Sequence, residues 1–173
     1  MKTFAYVVRR FLAFGTDWYI SSVLINLMTN AFSHFTTGAY YMHIALCFAS
    51  IVVGFLYYVL VPCKVWKGQT FMMRAMSLKV VNVNGEDVNF LTLLLRFFIG
   101  CLIFEGAFYI PSVNIRSVLM IIFPSRFLEI IGIVINISSV IGVLCILLNW
   151  REFRLLHDVL FKTKVIDNAS LPN

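Results

Sequence analysis

The chain has 173 residues, of which 61% are hydrophobic and only 13% are charged. A water-soluble domain carries about 25% charged residues because its surface faces water, so the composition excludes an ordinary soluble protein. The net charge of +6 does not indicate nucleic-acid binding, because the basic residues stand in small groups between apolar stretches. This pattern is typical of a membrane protein that contacts anionic lipid headgroups. The length favours a single domain over residues 1–173.

Long uncharged stretches predict that the chain crosses a membrane four times. No charged residue occurs between Asp17 and Lys64, a run that holds two helices of about 20 residues and a short turn. Two more apolar stretches follow, the first interrupted only by Glu105. The first helix lacks a small-residue cleavage site, so we expect it in the mature protein. We therefore predict an all-α integral membrane protein with helices at about residues 11–32, 39–61, 91–111 and 129–150.

The distribution of lysine and arginine predicts the orientation. All but two of the 14 basic residues precede the first helix, lie in the connection at 62–96, or follow the last helix. The other two lie in the connection at 112–128. Because cytoplasmic loops are enriched in these residues, we place both termini and the 62–96 connection in the cytoplasm. The predicted location is the plasma membrane.

Two segments outside the predicted helices have patterns of their own. In "SLKVVNVNGEDVNF", β-branched residues precede the turn signal Asn84–Gly85, which predicts a short β-hairpin or strand and turn at the cytoplasmic surface. The tail "REFRLLHDVLFKTKVI" predicts a short amphipathic helix at the lipid headgroups. The apolar residues on one face of that helix are Leu155, Leu156, Val159 and Leu160.

The sequence offers no motif for catalysis or for binding a metal or a cofactor. The four cysteines lack metal-ligand spacing, and we interpret them as packing residues. Neither an H-E-x-x-H motif nor a nucleophile motif is present. His157 and Asp158 are adjacent, and adjacent helical residues do not share a face. We expect them to have a surface role, such as capping a helix or contacting the middle connection or Arg10, and we expect no enzyme activity.

Three motifs in order resemble those of the RDD family of small bacterial membrane proteins. "RRFLAFGTDW" is similar to R-x-x-A-x-x-x-D, "GQTFMMR" and the residues after it to G-x-T-P-G-K-R…V-x-x-x-G…R, and "LLHDVLFKTKVI" to L-H-D-x-x-x-x-T-x-V. The resemblance covers about residues 9–166. It implies motif positions at Arg10, Asp17, Gly68, Thr70, Gly85, Arg96, His157 and Asp158. Where the family has Pro-Gly-Lys, this chain has Phe71, Met72 and Met73, followed by Arg74.

An acid within the first helix needs a partner. Arg10, Ala13 and Asp17 share one helical face, and Asp17 lies about 10 Å deeper than Arg10. An ionised acid at that depth costs on the order of 2.5–3.5 kcal/mol. We therefore predict a buried charge cluster of Arg10, Asp17, Arg96 and Glu105. In this cluster Asp17 is bridged to Arg96 or to Arg10 and packs the first helix against the third.

Two functions fit these features. In the favoured one, the protein is a non-catalytic accessory or adaptor subunit of a membrane complex, of the immunity or secretion type, and the charge cluster locks helices together. The alternative is a small ion or proton-coupled transporter that uses Asp17 and Glu105. Ion or proton exchange and accessory roles are both implied by the family resemblance. Four helices are few for an alternating-access carrier, which favours the adaptor. We expect the partners to be the lipid bilayer and either another protein or a second copy.

Overall fold

The computed structural model describes residues 2–35, 38–104, 110–122, 125–148 and 154–168. These residues form helices joined to one small antiparallel sheet. The elements are α1 (Lys2–Ser33), α2 (Ala39–Phe55), α3 (Phe71–Ala75), β1 (Leu78–Asn82), α4 (Phe90–Leu95), α5 (Ile110–Ile122), α6 (Arg126–Leu148), α7 (Leu156–Leu160) and β2 (Thr163–Asp167). Two of the helices continue with a wider, π-helical segment, α2 over Leu56–Val65 and α4 over Arg96–Phe104.

Two helical stretches are long and apolar enough to cross a bilayer, Phe4–Ser33 and Ala39–Val65. They coincide with the first two predicted crossings. Two other apolar helices, Phe90–Ile103 and Ile110–Ile122, are shorter than the roughly 20 residues that a crossing needs. The helix α6 covers most of the predicted fourth crossing. The helical fold class is confirmed, whereas the four crossings and the orientation stay predictions.

The first helix begins nine residues earlier than predicted because its first turns pack against the sheet. The Tyr6 hydroxyl donates to the carbonyl oxygen of Val165 at 2.6 Å. Arg9 forms an ion pair with Asp167. These contacts provide the polar side chains in the first turns of α1 with partners on β2. The helix therefore begins before its apolar stretch.

The prediction of a connection at residues 112–128 is wrong, because α5 occupies Ile110–Ile122. Arg116 is one of the two basic residues that the sequence prediction placed in this connection. In the structure, this guanidinium donates to the Asn136 side-chain oxygen on α6 at 3.1 Å. A single charge with a polar partner is therefore compatible with a helix that packs against α2.

The two π-helical segments pack against each other. At the end of the first, the Trp66 N–H donates to the Val61 carbonyl oxygen at 3.1 Å, one residue further back than in an α-helix. Pro62 lies in this segment, and its missing N–H favours a departure from α-helical bonding. The shared contact is a buried apolar cluster of Val59, Leu93, Phe97 and Cys101.

The predicted hairpin is only partly present. Strand β1 forms, and Gly85 adopts a positive φ of 89° in the turn. However, β1 pairs in antiparallel register with β2 from the tail, with Val80 opposite Val165. The local hairpin is reduced to one bridge between Val81 and Asp87.

The predicted amphipathic helix in the tail is also only partly correct. Its helical part, α7, has five residues, and the chain then enters β2. The β-branched residues Thr163 and Val165 are buried on one side of that strand, a pattern that favours a strand over a longer helix. We call α3, α7 and the β1–β2 sheet the cap. A cluster of Ala13, Leu78, Val80 and Val165 packs the cap against α1.

Candidate functional site

Asp17 is 4% exposed and its carboxylate accepts three hydrogen bonds. The donors are the Tyr57 hydroxyl, the Thr70 hydroxyl and the backbone N–H of Met72, the last at 3.2 Å. All three donors are neutral. Hydrogen bonds to an ionised acceptor are strong, so they offset much of the cost of burying the carboxylate.

The loop at Gly68 to Thr70 brings two of these donors to Asp17. Gly68 has a positive φ of 89°, and a Cβ there would collide with the carbonyl oxygen of Val80. The Gln69 side chain donates to the carbonyl oxygen of Leu78 at 2.7 Å. Thr70 caps α3 by accepting from the backbone N–H of Met73 and also donates to Asp17. This loop therefore needs glycine for close approach and threonine for its hydroxyl.

A second buried acid, Asp158 on α7, lies between two arginines. One carboxylate oxygen is 2.8 Å from Arg96 Nη2, and the other is 3.2 Å from Arg10 Nη2. The Thr163 hydroxyl and the backbone N–H of Leu155 also donate to it, at 3.1 and 3.3 Å. Burial by itself raises the pKa of this carboxyl, but the Arg96 and Arg10 charges and the Thr163 hydrogen bond outweigh burial and hold the pKa well below its usual range.

His157 packs beside this ion pair. Arg96 Nη2 donates to His157 Nε2 at 2.7 Å. His157 Nε2 also lies 3.6 Å from the Asp158 carboxylate. The ring fits only because Gly100 has no side chain, since a Cβ on Gly100 would lie 2.5 Å from the His157 Cβ. The expected surface role of His157 and Asp158 is wrong, because both are at most 1% exposed. The expected contact of Asp158 with Arg10 is confirmed.

The predicted ion pair between Asp17 and an arginine is wrong. Arg10 and Arg96 do lie together, but the acid between them is Asp158. Helix spacing correctly placed Arg10 and Asp17 on one face. It could not show that Arg10 pairs instead with Asp158 in the C-terminal segment. Glu105, the fourth member of the predicted cluster, lies outside the described residues.

The remaining motif residues have separate roles. Arg74 is exposed and its guanidinium lies 5.4 Å from the centroid of the Trp66 ring, a cation–π contact. Gly85 lies in the exposed turn after β1, and a Cβ there would meet no atom within 4 Å. Neither residue approaches Asp17 or Asp158 as a hydrogen-bond or ion-pair partner within the described part of the chain.

Three functional side chains were not predicted. Tyr57 donates to Asp17, and the Tyr58 hydroxyl lies 3.3 Å from Ser21 Oγ. Tyrosine is common in membrane helices, so the pair carried no signal of its own in the sequence. Thr163 was within a quoted motif, and its motif position was the signal that it has a specific contact.

A cavity of about 240 Å³ lies between α1, the π-helical segments and the cap. It is large enough to hold several water molecules. Most of its walls are apolar. The charged and polar side chains that reach it are Arg10, Asp17, Tyr58, Thr70, Arg96 and His157. The cavity therefore connects the surroundings of Asp17 with those of the arginines.

Two apolar helices of spanning length and a buried carboxylate on the first of them define a helical, membrane-type protein. The model of the RDD family matches residues 4–162. The chain belongs to the RDD family, as the three motifs indicated. Comparisons with curated proteins and with solved structures give no match.

Proposed function

We propose that this protein is a small, non-catalytic membrane transporter that moves protons by way of Asp17. The observation that carries the proposal is the environment of this carboxylate. It borders a cavity, and all its hydrogen-bond donors in the described part of the chain are neutral. An intramembrane acid is expensive and marks an ion or proton pathway when no structural ion pair accounts for it.

The different partners of the two buried acids, Asp17 and Asp158, favour the transporter over a purely structural role. Asp158 already supplies the lock between α1, the segment at Arg96 and the cap. Asp17 is not needed for that ion-pair lock. Its donors are two hydroxyls and one N–H, which stabilise the carboxylate and supply no opposing charge. A proton is thus the species that suits this site best, because its arrival neutralises the buried charge directly.

The transport proposal is tested with purified protein in liposomes that contain a pH-sensitive dye. Under an imposed membrane potential we expect proton flux for the wild type and none above empty liposomes for Asp17→Asn. The matched control is Asp87→Asn, because this carboxylate is exposed and pairs with Lys79; its flux should equal that of the wild type. Glu105→Gln tests the second predicted carboxylate. Equal flux for Asp17→Asn and the wild type would refute the proposal.

The second proposed function is the accessory or adaptor subunit. It is favoured by two exposed apolar side chains on the cap, Val159 and Leu160, which are each 46% exposed. They stand on a helix that the ion pairs of Asp158 hold in place, so they form a fixed apolar surface. In affinity purification from native membranes, an adaptor would retain a partner that Leu160→Asp loses. It would show no proton flux.

We also propose the finer topology. The protein is proposed to lie in the plasma membrane with four crossings and both termini in the cytoplasm. The concentration of basic residues in the N-terminal, middle and C-terminal segments supports this orientation. The cap would then lie on the cytoplasmic side.

A further inference from the structure

An arginine and an asparagine form a polar patch on the outer surface of α5 and α6. The Arg116 guanidinium donates to the Asn136 side-chain oxygen at 3.1 Å. Asn136 is exposed and Arg116 is half-buried. The neighbours of Asn136 on this face of α6 are apolar and more than half exposed, namely Ile133, Ile137 and Val140. The pair, which we call the Arg116 patch, thus interrupts a face that is otherwise suited to contact with lipid.

The Arg116 patch lies deep along α6. Asn136 is ten residues after Arg126, the first residue of this helix, which is about 15 Å or half of the hydrocarbon thickness. Arginine in a membrane usually extends toward the nearer headgroups. Here the Arg116 stem passes Gly132, where an added Cβ would lie 3.8 Å from its Cδ. The guanidinium then reaches Asn136, one helical turn deeper, so it lies away from the headgroups at the start of α6.

The patch has more hydrogen-bond donors than acceptors. A guanidinium carries several N–H donors and a side-chain amide carries two, whereas Asn136 Oδ1 is the single acceptor that Arg116 meets among the described residues. The amide nitrogen of Asn136 has no partner in that part of the chain. In hydrocarbon, unpaired donors and an uncompensated charge are strongly unfavourable. The patch is therefore incomplete without an acceptor, and a negatively charged one suits it best.

A carboxylate on a neighbouring membrane helix meets these requirements. It has two oxygens that only accept hydrogen bonds, and it pairs with a guanidinium through two parallel bonds. A lipid phosphate suits the patch less well, because it lies at the edge of the hydrocarbon. A second copy of this chain also suits it less well. In a two-fold dimer the same patch stands on both sides of the interface, which brings two copies of Arg116 together.

We propose that the Arg116 patch is the docking site for a transmembrane helix of another protein, and that this helix carries an aspartate or glutamate at mid-depth. The partner carboxylate accepts from Arg116 and from Asn136, and the apolar side chains beside them pack against the partner helix. The proposal rests on the proposed topology, in which α6 is a crossing. It depends on neither the proton flux of Asp17 nor the cap surface at Leu160.

Binding of synthetic helices to the full-length protein tests the docking site. The four native cysteines are replaced by serine, and a donor fluorophore is attached to Ser125→Cys, an exposed position before α6. The protein is placed in phosphatidylcholine liposomes. The probe is an acceptor-labelled helix of about 20 leucine and alanine residues with one glutamate at its centre. Two matched helices carry glutamine at the centre or glutamate one turn from the end. Energy transfer measures association.

We expect the helix with the central glutamate to associate on the order of ten times more tightly than either matched helix. Arg116→Gln should abolish this preference. The matched control is Arg126→Gln, which removes an exposed arginine at the start of α6 and should retain the preference. Equal association of the three helices with the protein that carries Arg116 overturns the proposal, and this comparison holds even if Arg116→Gln does not fold.

Two further results would identify a different occupant and would overturn the proposal. A preference that appears only in Glu105→Gln would mean that the chain's own acid, which lies outside the described residues, already occupies the patch. Energy transfer between differently labelled copies of the protein that is lost in Arg116→Gln would make a second copy the occupant.

Labelling in cells distinguishes failure of the docking site from failure of the topology. A membrane-impermeant thiol reagent should react with Ser125→Cys in intact cells, since this position precedes α6 on the side opposite the cap. Absence of this reaction would remove the crossing by α6, and the mid-depth docking site with it. Reaction at this position without a preference for the central glutamate would overturn the docking site alone and leave the topology standing.

Discussion

At the scale of single residues, the cost of burying a carboxylate is offset in different ways at Asp158 and Asp17. Asp158 is surrounded by the opposite charges of Arg10 and Arg96. Asp17 accepts only neutral hydrogen bonds in the described part of the chain. The first arrangement favours a permanently ionised group, whereas the second permits a change of protonation. This contrast is the reason for assigning a structural role to one acid and a transport role to the other.

Replacing Asp158 by Asn should lower the free energy of unfolding by about 3–5 kcal/mol, because it leaves two largely buried guanidinium groups without their carboxylate. The measurement is reversible unfolding in detergent at neutral pH. Asp87→Asn is the control, and its exposed pair with Lys79 should contribute less than about 1 kcal/mol. Similar losses for the two variants would show that Asp158 is not a structural lock.

The same ion pairs predict a response to acid. Because the pKa of Asp158 is lower in the folded state, its stabilising contribution is complete above the unfolded pKa of about 3.9. It is lost as the pH falls below that value toward the folded pKa. The difference in stability between the wild type and Asp158→Asn should therefore be constant between pH 5 and 7 and should decrease below about pH 4. A difference that stayed constant to lower pH would contradict this assignment.

At the scale of structural elements, the loop before α3 depends on a glycine that contacts a strand. Gly68 and Gly85 have the same positive φ of 89°, but only Gly68 would place a Cβ against another residue, at the Val80 carbonyl oxygen. Gly85→Ala should cost about 1–2 kcal/mol of stability from the backbone conformation alone. Gly68→Ala should cost more, because the loop must also move away from β1.

Equilibrium unfolding of the two glycine variants checks this expectation. The displaced loop should also weaken the Thr70 contact with Asp17, so flux should decrease in Gly68→Ala but remain in Gly85→Ala. Equal stability of the two variants would mean that the close approach of Gly68 to β1 is unimportant.

The elements that could be predicted from the sequence are those defined by local pattern. Apolar length predicted the first two helices, and β-branched residues with an Asn-Gly turn predicted β1. The pairing of β1 with β2 could not be predicted, because it joins residues more than 80 positions apart and no local pattern specifies the partner. α5 was missed because residues 112–128 were assigned to a connection, and no local pattern showed that Arg116 has a polar partner, Asn136, on α6.

At the scale of the whole molecule, the topology can be tested with two exposed positions. Phe35 follows α1 and is 85% exposed, and Asn84 lies in the exposed turn of the cap. In a variant whose four native cysteines are replaced by serine, Phe35→Cys should react with a membrane-impermeant thiol reagent in intact cells. Asn84→Cys should react only after the membrane is permeabilised. Reaction of both positions from the same side would contradict a crossing by α1 and the cytoplasmic position of the cap.

The charged residues of the candidate site were predictable from the sequence, but their pairings and the tyrosines that contact Asp17 were not. Family motifs and helix spacing indicated Arg10, Asp17, Arg96 and Asp158. Which acid meets which arginine depends on how the tail folds back over α1, and this is a property of the assembled chain. The neutral donors to Asp17 come from two separate segments, so no single motif shows that they converge.

The pairing of β1 with β2 has a consequence for the order of events during synthesis. The ribosome makes α1, α2 and β1 long before it makes Asp158 and β2. Until then, Arg10 and Arg96 lack their carboxylate and β1 lacks its neighbouring strand. The nascent protein can thus insert its first two helices before Asp158 and β2 are available, and the contacts of Asp158 with Arg10 and Arg96 form only after this segment has been made. A product that stopped before Asp158 would leave two largely buried guanidinium groups without this carboxylate.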